Sequence, residues 1–348
     1  METTTTPDLK TTWAAFREAN PKVRIRNAAE QLGTSEAELL ATSLGETVTR
    51  LRPDWYEMLF DLEALGEVMA LTRNDVFVHE KTGRYSQPSI FKSHQMGQTL
   101  DKGIDLRIFF RTWGYAFAVV VPDGNAKTRR SLQFFDVYGN AVHKTFLRRK
   151  SDVDYFDTFV EKYRHDEQSP ALDVTPQPAP KPEKPDDEVD AEGLRQAWAA
   201  LKDTHEFFRL LHTFGVTRTQ AFRLAGPEFA RRVDTSHLRT VLEAASAQQI
   251  PLMIFAGNDG CIQIHTGHIK KLKDMYGWYN ILDPGFNLHM KDGDIDSTWV
   301  VRKPTVDGDV HSLECYDANS NVLCYIFGSR KESNTELPEW RSLLLSLE

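Results

Sequence analysis

No window of this 348-residue chain comes near the roughly 18 uninterrupted apolar residues that a membrane-spanning helix needs, so no membrane insertion is expected. Cysteine is scarce. Cys261, Cys315 and Cys324 are an odd number without a CxxC pair, which argues against a disulfide framework or a cysteine-built zinc site and fits a reducing, cytoplasmic setting. Basic residues are in deficit, 42 Lys and Arg against 50 Asp and Glu, for a net charge of −8. That balance disfavours nucleic acid and anionic membrane as partners. The opening METTTTPDLKTTW lacks a basic region followed by an apolar one, so no secretory signal is expected. GxGxxG, Walker, GxSxG and HExxH motifs are absent, and no carboxylate pair stands out for acid–base work. His265 and His268 have zinc-like spacing but no second ligand pair, and read as surface histidines of a strand or turn. His79, at the end of a strand in VFVHEKTG, reads as a surface or supporting residue.

What is present is enough apolar and aromatic sequence, 41% and 11%, for two domains or one duplicated unit with a sizeable core. Helical patterns come first, at 11–20, 21–32, a short helix opened by Ser35 with Glu38 at capping-box spacing, and 54–65. Strand-like runs follow at 67–71, 76–79, 106–121, 131–136 and 141–146, with turn signals at 122–125 and 138–140. Residues 166–192 hold six of the sixteen prolines, many acids and almost no apolar side chains, and read as an extended, solvated linker. Helices then return. Leu194–Gly215 reads as one long amphipathic helix, with Leu194, Trp198, Leu201, His205, Phe208 and His212 on one face. Thr217 with Gln220 forms a second capping box, 236–248 is helical, strands fill 252–327, and 338–345 is a last helix.

The halves align. LTRNDVFVHEKTG (71–83) matches FAGNDGCIQIHTG (255–267), SLQFFDVYGN (131–140) matches SLECYDANSN (312–321), and ThrTrp recurs at 112–113 and 298–299. The expectation is an α+β internal duplication, each half a helical cap and a large antiparallel sheet: 1–165, the linker 166–192, and 193–348. Nothing in the first half aligns with His205, since its helix there carries Trp13 and Phe16.

A histidine in an apolar stripe has two readings. It is a core imidazole bonded to a neighbour, or a neutral imidazole aimed into an apolar cleft to bind a metal or metallocofactor. Cations sit near apolar sequence: Arg107 in IDLRIFF, Arg218 in a first helical turn, Arg302 and Lys303 after TrpValVal, and Arg330 after CysTyrIlePheGlySer. In IDLRIFF, alternation sets Ile104, Leu106, Ile108 and Phe110 opposite Asp105, Arg107 and Phe109. Each cation alone is by default a solvated charge; one histidine with several fixed cations suits a planar, dianionic metallocofactor. Phe255, Phe286, Leu288, Trp299, Tyr325 and Phe327 offer apolar walls.

THEFFRLLHTFGVTRTQAF, GWYNILDPGFNLHM, WVVRKPTVDG and IDLRIFFRTW together resemble the cytoplasmic haem-utilisation proteins of the HemS/ChuS/HmuS (hemin-degrading factor) type, over nearly the whole chain. The resemblance implies haem in the C-terminal half, with His205 as axial iron ligand. It makes Arg107 the distal arginine and places Arg218, Lys303 and Arg330 near the propionates. Phe327 stands where the family often has tyrosine before GlyXaaArg, so one hydrogen bond to haem is lost. Two functions follow from the resemblance: reductant- and oxygen-dependent ring opening that releases iron, or carriage of haem to a separate haem oxygenase. Partners implied are haem, a haem-uptake transporter and a reductase or haem oxygenase.

Overall fold

Helix-forming runs precede strand-forming runs in each half, and the computed structural model follows that order. It describes residues 8–124, 127–180, 182–330 and 335–347. Residues 1–7 of the stretch read for a signal, Asn125 of the 122–125 turn and Lys181 of the Pro-rich segment lie outside them.

The chain divides into two compact units: Met1–Thr72, Lys81–Pro178 and Asp259–Ile262 form unit 1, and Arg73–Glu80, Ala179–Asn258 and Gln263–Glu348 form unit 2. The first stretch of chain runs α1 (Leu9–Ala19), α2 (Ile25–Leu32), α3 (Glu36–Ala41), β1 (Val48–Leu51), α4 (Trp55–Asp61), β2 (Gly66–Arg73), β3 (Phe77–Gly83), β4 (Ser89–Phe91), β5 (Met96–Thr99), β6 (Asp105–Phe109), β7 (Trp113–Pro122), β8 (Thr128–Asp136), β9 (Ala141–Ser151) and α5 (Val153–Tyr163). The second runs α6 (Ala191–Ala199), α7 (Glu206–Phe214), α8 (Arg218–Ala225), β10 (Ala230–Val233), α9 (His237–Ala247), β11 (Leu252–Asn258), β12 (Cys261–Gly267), β13 (Leu272–Met275), β14 (Trp278–Asp283), β15 (Phe286–Met290), β16 (Ser297–Thr305), β17 (Gly308–Tyr316), β18 (Val322–Gly328) and α10 (Pro338–Leu345).

Within unit 1 antiparallel strands pair in the order β1-β7-β8-β9-β2, and within unit 2 in the order β10-β16-β17-β18-β11. The same connectivity occurs twice, so the fold is an α+β duplication. It repeats down to one turn. After β8, the Asp136 carboxylate accepts from the backbone N–H of Tyr138 and Asn140 and from the Asn140 amide; after β17, Asp317 does the same with Asn319 and Asn321. An Asp that holds its own turn specifies the hairpin locally, which explains why this stretch survived as a recognisable repeat.

The capping box at Ser35 and Glu38 is complete, each side chain bonding the other's backbone N–H. Its counterpart is half made. Thr217 accepts from Gln220 N–H, but the Gln220 amide turns outward to the Lys184 carbonyl and Asp186. The 106–121 run is interrupted: a short 3-10 turn over Phe110–Thr112 separates β6 from β7. In β6 the alternation holds, with Leu106 and Ile108 buried and Asp105, Arg107 and Phe109 half-buried. The sequence expectations omit strand β1, which is only four residues long, and helix α5, although Phe156, Phe159, Val160 and Tyr163 recur at helical steps after the N-cap Asp152.

The Pro-rich segment has little regular structure, as its composition dictates, yet it is tied down. Gln168 bonds both the N–H and the carbonyl of Arg50, Leu172 and Val174 pack against a cluster holding Tyr115, Phe117 and Phe135, and the Tyr115 hydroxyl donates to the Asp173 carbonyl. Farther on, Glu183 accepts from Thr217 and Arg223 beside α8. A few side chains suffice to seat an otherwise solvated strand.

Two histidines are buried: His265, read as a surface residue, and His79, read as a surface or supporting one. His79 is fully buried and its ring lies 5.1 Å from Phe286; His265 is 6% exposed and stacks flat on that phenyl at 3.7 Å. Their strands have a covered face, and alternation puts both imidazoles on it.

Candidate functional site

The stretch 194–215 is two helices, because the chain between them favours a turn over a continued helix. The Asp203 carboxylate accepts the backbone N–H of His205 at 2.8 Å, and Lys202 N–H is taken by the Glu206 carboxylate at 2.9 Å. Local side-chain acceptors of this kind compete with the helical ladder. α6 ends at Ala199 and α7 begins at Glu206, with His205 as its N-cap. The single stripe is therefore divided. Leu194, Trp198 and Leu201 are buried, whereas Phe208 is 73% exposed and His212 is exposed. α7 buries Phe207, Leu210 and Leu211 instead.

The side chain of His205 is 93% exposed. Its Nδ1 lies 2.6 Å from Asp203 Oδ1, so the ring N–H is directed to the carboxylate and the Nε2 lone pair faces outward. Hydrogen bonds from the backbone and ring of His205, with the charge of Arg330, hold Asp203 below the usual carboxylate range. The sequence pattern aims His205 into an apolar cleft or the core; its ring is instead exposed, with one nitrogen engaged and the other turned outward. The apolar stripe that drew attention to it is not its environment.

Beside it, one face of the sheet carries the rest. The β16–β17–β18–β11 register sets Trp299 against Glu314, Glu314 against Tyr325 and Tyr325 against Phe255; in the next row Val301, Ser312, Phe327 and Met253 align. The opposite face, with Val300, Leu313, Cys315, Ile326 and Ile254, is core. Phe286 and Leu288 belong to that core cluster, not to the face with Phe255, Trp299, Tyr325 and Phe327. Phe327 is half-buried, its ring edge-on to Phe255 at 5.5 Å. Trp299 Nε1 is buried with no hydrogen-bond partner among the described residues.

On this face lies a residue that sequence reading missed. Glu314 is fully buried and its carboxylate collects the Lys303 ammonium at 2.6 Å, the Ser312 hydroxyl at 2.7 Å, the Tyr316 hydroxyl, and the Arg218 guanidinium at 3.9 Å. Burial raises the Glu314 carboxyl, but Lys303, Arg218 and the hydroxyl donors outweigh it and hold the group below its ordinary range. Burial pushes Lys303 down. Burial also lowers Arg218, yet the oxygens of Tyr325, Tyr316 and Glu314 reverse this and leave it above its ordinary value. Two cations to one carboxylate leave a net positive charge. The Arg218 guanidinium is stacked between Phe207 at 5.3 Å and Tyr325 at 5.1 Å, and Lys303 Nζ lies 4.7 Å from the Phe207 ring. Phe207, two residues beyond His205, thus links the histidine to the cations. The signal for Glu314 was available: in the aligned repeats it stands against Gln133, and Tyr316 against Phe135.

Unit 1 differs at the matching places. Phe117 is the counterpart of Lys303, and there Glu36 on α3 pairs with Lys144, closing a neutral pair. Arg107 belongs to unit 1. Its guanidinium donates to Asp105 at 2.5 Å and to the Leu106 carbonyl at 3.0 Å, and its side chain is 33% exposed. Arg330 is exposed at the end of β18. Gly328, just before it, has a packing reason: a Cβ there would meet the Trp340 ring at 2.7 Å.

Among the described residues no helix is long and apolar enough to cross a membrane, and no three His, Cys, Asp or Glu side chains converge to hold a bare metal ion.

Known proteins are similar to this chain over nearly its whole length. Hemin transport protein HemS of Yersinia enterocolitica is 37% identical over 332 residues, 94% of each chain, and hemin transport protein HmuS of Yersinia pestis is 36% identical over the same shares. Among solved structures, holo-PhuS, a heme-binding protein from Pseudomonas aeruginosa, superposes with a TM-score of 0.94 at 44% identity, covering 98% of both chains. The heme degrading enzyme ChuS of Escherichia coli O157:H7 gives a TM-score of 0.89 at 33% identity, covering 97% of this chain and 98% of its own. The model of the haemin-degrading HemS.ChuX domain matches twice, at residues 33–163 and 215–347, and the chain belongs to that family.

Proposed function

We propose that this chain binds haem through Nε2 of His205 and serves haem-iron utilisation in the cytoplasm. The observation that carries the reading is the outward imidazole of His205, its other nitrogen already engaged, beside a net-positive cluster and an apolar sheet face. The donor set fits the group. A neutral imidazole would ligate the iron, fixed guanidinium and ammonium groups would suit propionates, and half-buried Phe255, Tyr325 and Phe327 would suit a flat apolar ring. Arg218 and Arg330 are the proposed propionate partners, with Lys303 acting largely through Glu314, which already holds it.

When bound, the iron porphyrin supplies redox and oxygen chemistry of its own, and ring opening would consume it as substrate. The chain's own residues would do the rest: His205 would hold the iron, Arg218 and Arg330 would hold the carboxylates, and Arg107 on β6 is the proposed catalytic hydrogen-bond donor. Oxidative ring opening with release of iron is the activity we propose. Carriage of haem to a separate oxygenase is the second reading, favoured by the 93% exposure of the His205 side chain, which suits transfer to another protein. A haem-uptake transporter upstream and a reductase are the partners that the first reading requires.

Haem titration of wild type and H205A tests the site: a sharp Soret complex is expected for wild type alone, and equal spectra and affinity would remove the assignment. Loaded protein, given reductant under oxygen with catalase present, separates the two readings. Decay of the Soret band with a tetrapyrrole product supports ring opening; persistence of the band supports carriage.

A further inference from the structure

Nothing in an imidazole itself decides which nitrogen binds a metal; the choice follows from what holds the other one. In this chain the holder is visible. One oxygen of Asp203 takes both the His205 backbone N–H, at 2.8 Å, and the ring Nδ1–H, at 2.6 Å. A single acceptor that grips main chain and ring of the same residue leaves that ring little freedom about χ1 and χ2. The clamp sits where the helix breaks, so backbone bonds steady it: Glu206 N–H donates to the Asp203 carbonyl at 3.1 Å, and Val306 N–H to the Lys202 carbonyl at 3.0 Å. Without it, a side chain 93% exposed would sample several rotamers and both neutral tautomers.

We infer that Asp203 is the positioning residue of the haem site, selecting Nε2 of His205 as the donor atom and strengthening it by drawing on the Nδ1 proton. The inference rests on His205 being the iron ligand. A carboxylate pulling on Nδ1–H gives the ring more imidazolate character, which strengthens the bond to iron and favours the ferric state. An amide or carbonyl acceptor does so less.

The test compares wild type, D203N, D203A and H205A, each loaded with haem. Asparagine keeps an acceptor for the backbone and ring N–H groups but loses the charge; alanine loses both. Haem affinity should fall about 10–100-fold in D203A, the usual cost of deleting a residue that orients a metal ligand, and by less in D203N. The iron–histidine stretch of the ferrous complex, read by resonance Raman, should shift down in both variants, and the reduction potential should rise in both. A residue that only caps α7 would leave the stretch and the potential of D203N unmoved, and that result overturns the inference. H205A separates the two layers. If it loses the wild-type spectrum while D203A keeps the wild-type stretch and affinity, the ligand stands and the role of Asp203 falls. If H205A keeps the wild-type spectrum, both fall.

Discussion

Glu314 to alanine is the substitution that most directly probes the cluster on the sheet face. The carboxylate is fully buried and its nearest cation, Lys303, is 5% exposed in its side chain and 2.6 Å away. Removing one member of such a pair leaves an uncompensated charge out of reach of water, which costs about 3–5 kcal/mol. The lysine carries most of this. Arg218, 23% exposed and stacked between two aromatic rings, keeps part of its stabilisation without the carboxylate. E314Q retains an acceptor for Lys303 and Ser312, so its cost should be nearer 1–3 kcal/mol, roughly that of a charged hydrogen bond. Replacing both partners, as in K303M/E314L, should recover much of the loss, because the buried charge goes with its partner. Urea unfolding at neutral pH measures all three. The pH dependence adds a signed check. Glu314 titrates below its unfolded value of 4.5 in the folded chain, so it contributes stability above that pH that is lost as pH falls through the folded value. E314Q should lack that acid-side slope. A loss below about 1 kcal/mol for E314A, with an unchanged urea slope, would refute the reasoning, since it would mean that Lys303 is readily discharged or rehydrated.

Three further outcomes are expected. His143, buried between Thr72 at 2.8 Å and Tyr85 at 2.6 Å, is pushed by burial down to about 3 from 6.5; the unfolded chain takes up its proton first, so stability should fall as pH drops from 6.5 towards 3. The slope is up to about 1.4 kcal/mol per pH unit for this one proton, and an H143Q variant whose stability profile keeps the full wild-type slope would contradict the assignment. G328A should destabilise by about 1–3 kcal/mol, since the new methyl meets the Trp340 ring at 2.7 Å; thermal unfolding of G328A and of G328A/W340L, in which the ring is gone, tells steric conflict from a general cost of alanine. F327Y adds a hydroxyl to the half-buried ring facing Phe255 and should raise haem affinity by about 2–10-fold, the worth of one hydrogen bond, with no gain expected from F327L.

The repeat was legible because its signals are local. Asp136 and Asp317 each make their own turn from residues two and four places on, so the spacing that shapes the hairpin is also the spacing that aligns the halves. Arg107's place on β6 was readable for the same reason, since alternation needs no partner strand to be recognised. The 194–215 helix shows the limit. Apolar steps of three and four continue through Asp203 as a pattern, but Asp203 takes the His205 N–H and the helix stops.

By itself the sequence showed helices before strands in each half, the duplication and the family, and it nominated six candidate site residues. Tertiary structure decided what those residues meet. Glu314 acquires its meaning only when Lys303 from β16, Arg218 from α8 and Tyr316 from its own strand close on one carboxylate, a convergence that no local spacing encodes. His79 and His265 moved from surface to interior because burial depends on which face of a sheet is covered, and alternation alone leaves that choice open. His205 went the other way, from an apolar stripe to an exposed ring held by Asp203. The neighbours that other strands and helices bring to a side chain are not written in its own stretch of chain.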